Sequence, residues 1–370
     1  MRRILKRRAV LLVSVVILCV VRNGLAMEEN SQGLISSELL KHANLKVFWE
    51  NELPIKNTEK VRKLLILGNR VYVVTNQDYI ISLDRNDGKI VFGRTFRPAG
   101  LLAGGFQLYE NDLIYVSGSE LYQIDAESGK EISTVNLGFS VTCPAARNNL
   151  FFYVAGVDNR LHFLRVKDKV QVYEVTPDNE SMITSILANE DFVIFATAKG
   201  NIICIKSTDP TLLWQFDAFD AIAGPVVKDW ASLFFASKDT NVYRVDIVGL
   251  PEQKRLVWKY QAAAVLDQAP RVTQEVVYQP VLGKGVTAIN KETGTRLWSV
   301  PGGVELLAEH RDRAYIITED RKLTVMDNIK TRQLYSVNFA NVSKYVANTV
   351  DEKIYVSDER GRMVCLQPLE

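Results

Sequence analysis

Histidine is scarce in this sequence, with three residues in 370, and cysteine hardly commoner, with four. His42, His162 and His310 stand far apart, with no second histidine at the spacing of a zinc site or a helical H-x-x-x-H pair, so metalloprotease and zinc-finger chemistry are excluded. His310-Arg-Asp matches a kinase catalytic loop in letters only, because none of the partner motifs accompanies it. Cys143, Cys204 and Cys365 are at least 61 residues apart, and each lies in or beside an apolar run. They read as small buried side chains, with a single disulfide as the alternative.

An excess of charge of one sign is also missing. The first 26 residues hold six of the 45 basic side chains and no acidic one, which leaves 39 basic against 43 acidic residues in the rest. Charges of both signs are scattered, so nothing calls for nucleic acid or an anionic membrane surface. The N-terminal apolar run AVLLVSVVILCVV has 13 residues, short of the roughly 20 that span a bilayer as a helix. It follows the basic MRRILKRR and precedes the small residues GLA, the order of an export signal cleaved after Ala26; an uncleaved anchor is the alternative. Leu18 before Cys19 and Arg22 soon after it do not fit lipid attachment. The mature chain is therefore expected in the periplasm or cell envelope, with no membrane insertion after signal cleavage. Residues 27–44 read as a polar, mobile leader, or alternatively as a small docked helix with Leu34, Leu39 and Leu40 on one side.

What the sequence does have is a repeat. Eight phrases of alternating apolar residues close on Asp84, Asp125, Arg165, Lys206, Asp246, Asn290, Asp327 and Gln367, at spacings of 41, 40, 41, 40, 44, 37 and 40 residues. Each unit is made of short β-branched and aromatic runs bounded by turn residues, which predicts four strands joined by hairpins. Gly88, Gly129 and Gly294 end D-x-x-x-G or N-x-x-x-G phrases, where the turn needs a left-handed residue. A single four-stranded sheet cannot bury both faces, but eight stacked radially can, so the fold class is all-β: an eight-bladed β-propeller over residues 45–370.

The eighth unit stops at Glu370 after three strands, and LKVFWENEL (45–53) has the character of the missing outer one. The N-terminal strand is thus expected to pair with the C-terminal blade and close the ring. Trp49 then falls at the place held in other units by Phe92, Tyr173, Trp214, Trp258, Trp298 and Tyr335, with Ser133 in unit two. These aromatics are expected to wedge each blade against the next and to have no catalytic role. Asp217 with Asp220, and Glu190 with Asp191, read as solvated turns rather than acid–base pairs or cation sites. The glycine-containing GLPEQK and SGSE segments lack the strand-to-helix context of a phosphate loop.

Unit six, VTAINKETGTRLWSV, resembles the pyrroloquinoline-quinone-type repeat through Ala288, Asn290, Thr293, Gly294 and Trp298; Asp84, Gly88, Asp125 and Gly129 keep part of it in units one and two. Two groups share that repeat, the quinoprotein dehydrogenases and the BamB-like outer-membrane protein assembly factors. The chain is similar to the second in length, in having little beyond the blades and in its export signal. That resemblance implies a non-enzymatic protein-interaction scaffold with a protein partner, no cofactor and no metal, working as a monomer. The alternatives are a quinone-dependent oxidoreductase and a propeller that binds carbohydrate or peptide. Against the quinone stand the absence of adjacent cysteines and of a recognisable calcium ligand set.

Overall fold

The computed structural model describes residues 33–95, 105–249 and 255–369. The segment read as an export signal (1–26) and the first part of the leader lie outside them. Eight four-stranded antiparallel sheets form a ring, a β-propeller with almost no helix. Blades 1 to 7 span 61–95, 107–136, 146–175, 183–217, 222–261, 271–300 and 303–338, and blade 8 joins 344–368 to Leu45–Glu52. Within each blade the strands are lettered A to D from the axis outwards.

The core lies between blades rather than within one. Eight clusters of buried side chains each draw on two adjacent blades, so every sheet face is covered by its neighbour. Strands B and C, buried on both faces, are near-continuous apolar runs: Arg70–Thr75 is buried at all but its first residue, and Ser232–Ser237 throughout. Strand D has one side towards solvent and alternates, as in Leu256–Gln261. Strand A shrinks to two residues in blade 8 (Lys344–Tyr345) and likewise in blade 3 (Ala146–Arg147) and blade 6 (Arg271–Val272). Pro144 and Pro270 stand close before the strands of blades 3 and 6, and a proline cannot donate to a ladder.

Ring closure follows the expected plan. Leu45–Glu52 runs antiparallel to Arg362–Pro368, pairing Leu45 with Pro368, Trp49 with Cys365 and Glu52 with Arg362. The Leu369 amide donates to the Asn44 carbonyl at 2.8 Å, and the Leu53 amide to the Gly361 carbonyl at 2.9 Å. Arg85 of blade 1 ties the seam. Its guanidinium donates to Asp351 Oδ2 of blade 8 at 2.8 Å and to the Gly68 carbonyl at 2.9 Å.

Residues 34–44 follow the alternative reading, a small docked helix, and not that of a mobile leader. They form a helix, Ser37–His42, capped by Ser36, and Leu34, Ile35, Leu40 and Ala43 are buried in the cluster between blades 7 and 8. Tyr335 Oη donates to the Ala43 carbonyl at 2.9 Å, and Asn341 Nδ2 to that of Leu34 at 3.3 Å. Phe339 and Val342, in the link from blade 7 to blade 8, supply the apolar partner that makes this short helix stable. Among the described residues no helix is long and apolar enough to cross a membrane.

Candidate functional site

The outer-strand aromatics occupy one structural position. Each pairs with the strand C residue two places before the end of its repeated phrase: Trp49 with Cys365, Phe92 with Ser82, Trp214 with Cys204, Trp298 with Ala288 and Tyr335 with Val325. Ser133 of blade 2 takes the same place opposite Gln123. A register shift adjoins this residue in every blade and bends the outer strand. In several blades a small strand C residue lets the aromatic reach over it to a strand B ring. The Trp49 and Tyr355 centroids are 6.0 Å apart across Cys365, and those of Trp298 and Tyr278 are 5.7 Å apart across Ala288. Cys365 is therefore a spacer, whereas Cys204 stands between Trp214 and the aliphatic Ile194. The three cysteines among the described residues are free and buried, and burial pushes each thiol up to about 12.

The three glycines meet these rings. A Cβ on Gly88 would lie 2.6 Å from the Trp49 indole, one on Gly129 2.6 Å from Phe92, and one on Gly294 2.7 Å from Trp258. Each pair joins the outer strand of one blade to the C–D turn of the next. Trp49 Nε1 donates to the Arg85 carbonyl at 3.0 Å and Trp258 Nε1 to that of Lys291 at 2.9 Å, so these indoles also satisfy turn carbonyls. Where blade 2 offers Ser133, blade 3 has Lys169 at the left-handed turn position, with φ +62°. Without a ring above it, that turn tolerates a side chain.

Trp298 donates instead to Asn328 Oδ1 at 2.9 Å, and Arg255 lies 4.6 Å over Trp214. Tyr173 departs from the wedge expected of it. Its strand C partner is the bulky Phe163, so the ring is turned out to 42% exposure and makes edge contacts with Phe163 and Phe151 of its own blade.

Antiparallel alternation puts all A–B and C–D turns on one face of the ring and all B–C turns and D–A links on the other. Four of the five tryptophans hold the outer-strand position. The fifth, Trp230, sits in the blade 5 A–B turn at φ +48° and is 88% exposed, with Val248 of the same face 74% exposed. Sequence reasoning passed over Trp230, although it is the one tryptophan outside the repeated register. On the opposite face Phe219 is 86% exposed, with the Lys259 ammonium 5.7 Å from its ring.

The inner strands close the axis unevenly. On one side Tyr109 of blade 2 donates to Glu190 Oε1 of blade 4 at 2.7 Å, past blade 3, whose Asn149 amide also reaches Glu190. Burial and Glu190 raise the Tyr109 hydroxyl to about 12. Arg147 pairs with Asp112 and stacks 5.0 Å from the Tyr109 ring. On the other side blades 6, 7, 8 and 1 leave a cavity of about 360 Å³. Between blades 6 and 7, burial raises the Glu309 carboxyl above its usual range, against the hydrogen bonds it accepts from Tyr278, Thr273 and Asn328.

A calcium-held quinone does not match this chemistry. Among the described residues no three His, Cys, Asp or Glu side chains converge on a common point, and the cysteines lie far apart in the ring.

The same architecture recurs in known proteins. BamB from Moraxella catarrhalis superposes with a TM-score of 0.66 at 14% identity, covering 87% of this chain and 97% of that one. The computationally designed Ika8 protein gives 0.63 at 12% identity, covering 86% and 99%. That a designed protein fits nearly as well makes these likenesses statements about fold. No curated protein matches the sequence. The PQQ_2 family profile, described as outer membrane protein assembly factor BamB, matches residues 93–216 and 198–368, and the chain belongs to that family.

Proposed function

We propose that this chain is a non-enzymatic protein-interaction scaffold of the bacterial cell envelope, serving outer-membrane protein assembly as an exported, periplasmic monomer. The family match over residues 93–368, which covers blades 2 to 7 and the C-terminal strands of blade 8, carries the reading. The architecture supports it: eight blades gather their hairpin turns on two opposed faces, and the free edges of the outer strands can add an extended partner strand. A family relationship supports a role only at this coarse level.

Crosslinking in intact envelopes followed by affinity purification of this chain tests the reading. Enrichment of outer-membrane assembly components is the expected result; their absence from the crosslinked set contradicts it. Two variants identify the docking face. Exposed tryptophan is typical of interface hot spots, where truncation costs 2 kcal/mol or more, about 30-fold in affinity. Trp230→Ala should leave the melting temperature unchanged and weaken capture by about that factor, while Phe219→Ala, on the other face, leaves capture intact. The reverse pattern would place docking on the Phe219 face.

A further inference from the structure

The cavity on the axis is lined by Lys63, Leu65, Arg271, Glu305, Tyr345 and Val346, all from the inner strands of blades 1, 6, 7 and 8 or their immediate continuations. Its charges are not balanced. Arg271 is fully engaged: Nε and Nη2 donate to the two Glu305 oxygens at 3.0 and 2.6 Å, and Nη1 donates to the Ala269 carbonyl at 2.9 Å. Arg62 faces Asp78 at 3.5 Å. Lys63, exposed to solvent, has neither a carboxylate nor a hydrogen-bond acceptor among the described residues, and it lines the open lumen together with Arg271. Partial desolvation in the lumen, with Arg62 and Arg271 adding to it, lowers its ammonium below the usual lysine range. An anion placed there would relieve both penalties. With Arg271 neutralised by Glu305, only one positive charge is available, which suits a monoanion better than a doubly charged phosphate. Apart from Thr349, the rest of the wall is apolar, from Leu64, Leu65, Ile66, Val346 and Ala347, with the Tyr345 ring beside it.

We propose that this axial cavity binds a carboxylate borne on a small apolar body, with Lys63 as the charge partner and the apolar inner strands holding the body. The volume is within the range of small-molecule sites, about 300 to 1,000 Å³. The chemistry is met both by a free organic acid and by the terminal carboxylate of a peptide ending in an apolar residue. The inference rests on the lumen alone and is independent of the scaffold reading, because neither exposed face of the ring takes part.

Calorimetric titration of the full chain at low salt tests it with 4-phenylbutyrate, with the peptide Ala-Ala-Phe, and with the same peptide amidated at its C-terminus. Saturable one-site binding of a carboxylate probe is expected, with the amide at least about 10-fold weaker. Lys63→Met should weaken the carboxylate by about 10- to 100-fold, as for loss of a charge-assisted hydrogen bond. Lys63→Arg, which keeps the charge, should retain most of the affinity and guards against a folding defect in the first variant. Tighter binding of phenylbutyrate points to a free acid, and tighter binding of the peptide to a chain terminus; either supports the site. Absence of saturable binding by both carboxylates, equal binding of the amide, or undiminished binding to Lys63→Met overturns it.

Discussion

Trp49→Ala lowers the stability of the whole ring by about 3 to 5 kcal/mol, the cost of truncating a buried tryptophan. Trp49 sits where the chain ends meet, buried among Tyr355, Cys365 and residues of blade 1. Its loss removes the ring that covers Gly88, leaves the Arg85 carbonyl without its indole partner and opens a void where the outer strand of blade 8 is held by strand pairing rather than by a hairpin turn. Equilibrium denaturation measures the effect. Tyr173→Ala is the matched comparison, because it removes an aromatic at the same repeat position. That ring is 42% exposed and touches its own blade, so about 1 kcal/mol is expected. Equal losses at the two sites would mean that the seam has no special place in the stability of the ring.

The second large effect is expected at Gly88→Ala. The residue has φ +71°, and its new methyl would stand 2.6 Å from two atoms of the Trp49 indole. The left-handed backbone costs about 1 to 2 kcal/mol for an alanine, and the overlap adds about 1 to 3 kcal/mol. Gly283 separates the two contributions: it has φ +67° with nothing within 4 Å of its Cβ position, so Gly283→Ala carries the backbone cost alone. In a Trp49→Ala background the steric part should vanish, and Gly88→Ala should then cost no more than Gly283→Ala. A Gly88→Ala cost that persists undiminished without the indole would show that the glycine is kept for its backbone alone.

Much of this architecture is legible in the sequence because a propeller repeats it. Asp84, Asn290 and the other residues that close each phrase fix strand C, and counting back two places identifies the strand D partner in every blade. The pairing of Phe92 with Gly129, or Trp258 with Gly294, is harder to see, because it joins one repeat to the next. Lys169 in place of the glycine, after Ser133, fits that pairing, but Thr331 takes the same left-handed position after Trp298, so the letters alone do not reveal it. Tyr173 misleads for a local reason: the repeat fixes its position, but the size of Phe163 decides where its ring can go. The helix Ser37–His42 is short and weakly apolar, and its stability comes from Phe339 and Val342, about 300 residues away in the chain. The axial cavity is the least legible feature. Lys63, Arg271, Glu305 and Tyr345 come from four blades, and none of them belongs to a local motif.

Shared occupancy of blade 8 by both chain ends is the central structural claim, and amide hydrogen exchange over Leu45–Glu52 tests it without any substitution. While the alternate amides on the free outer edge exchange fast, those that face Arg362–Pro368 should exchange as slowly as that strand and Ile354–Ser357, opening only when the blade itself unfolds. Exchange of these amides at the rate of an unstructured peptide, while the other two strands stay protected, would contradict the closure.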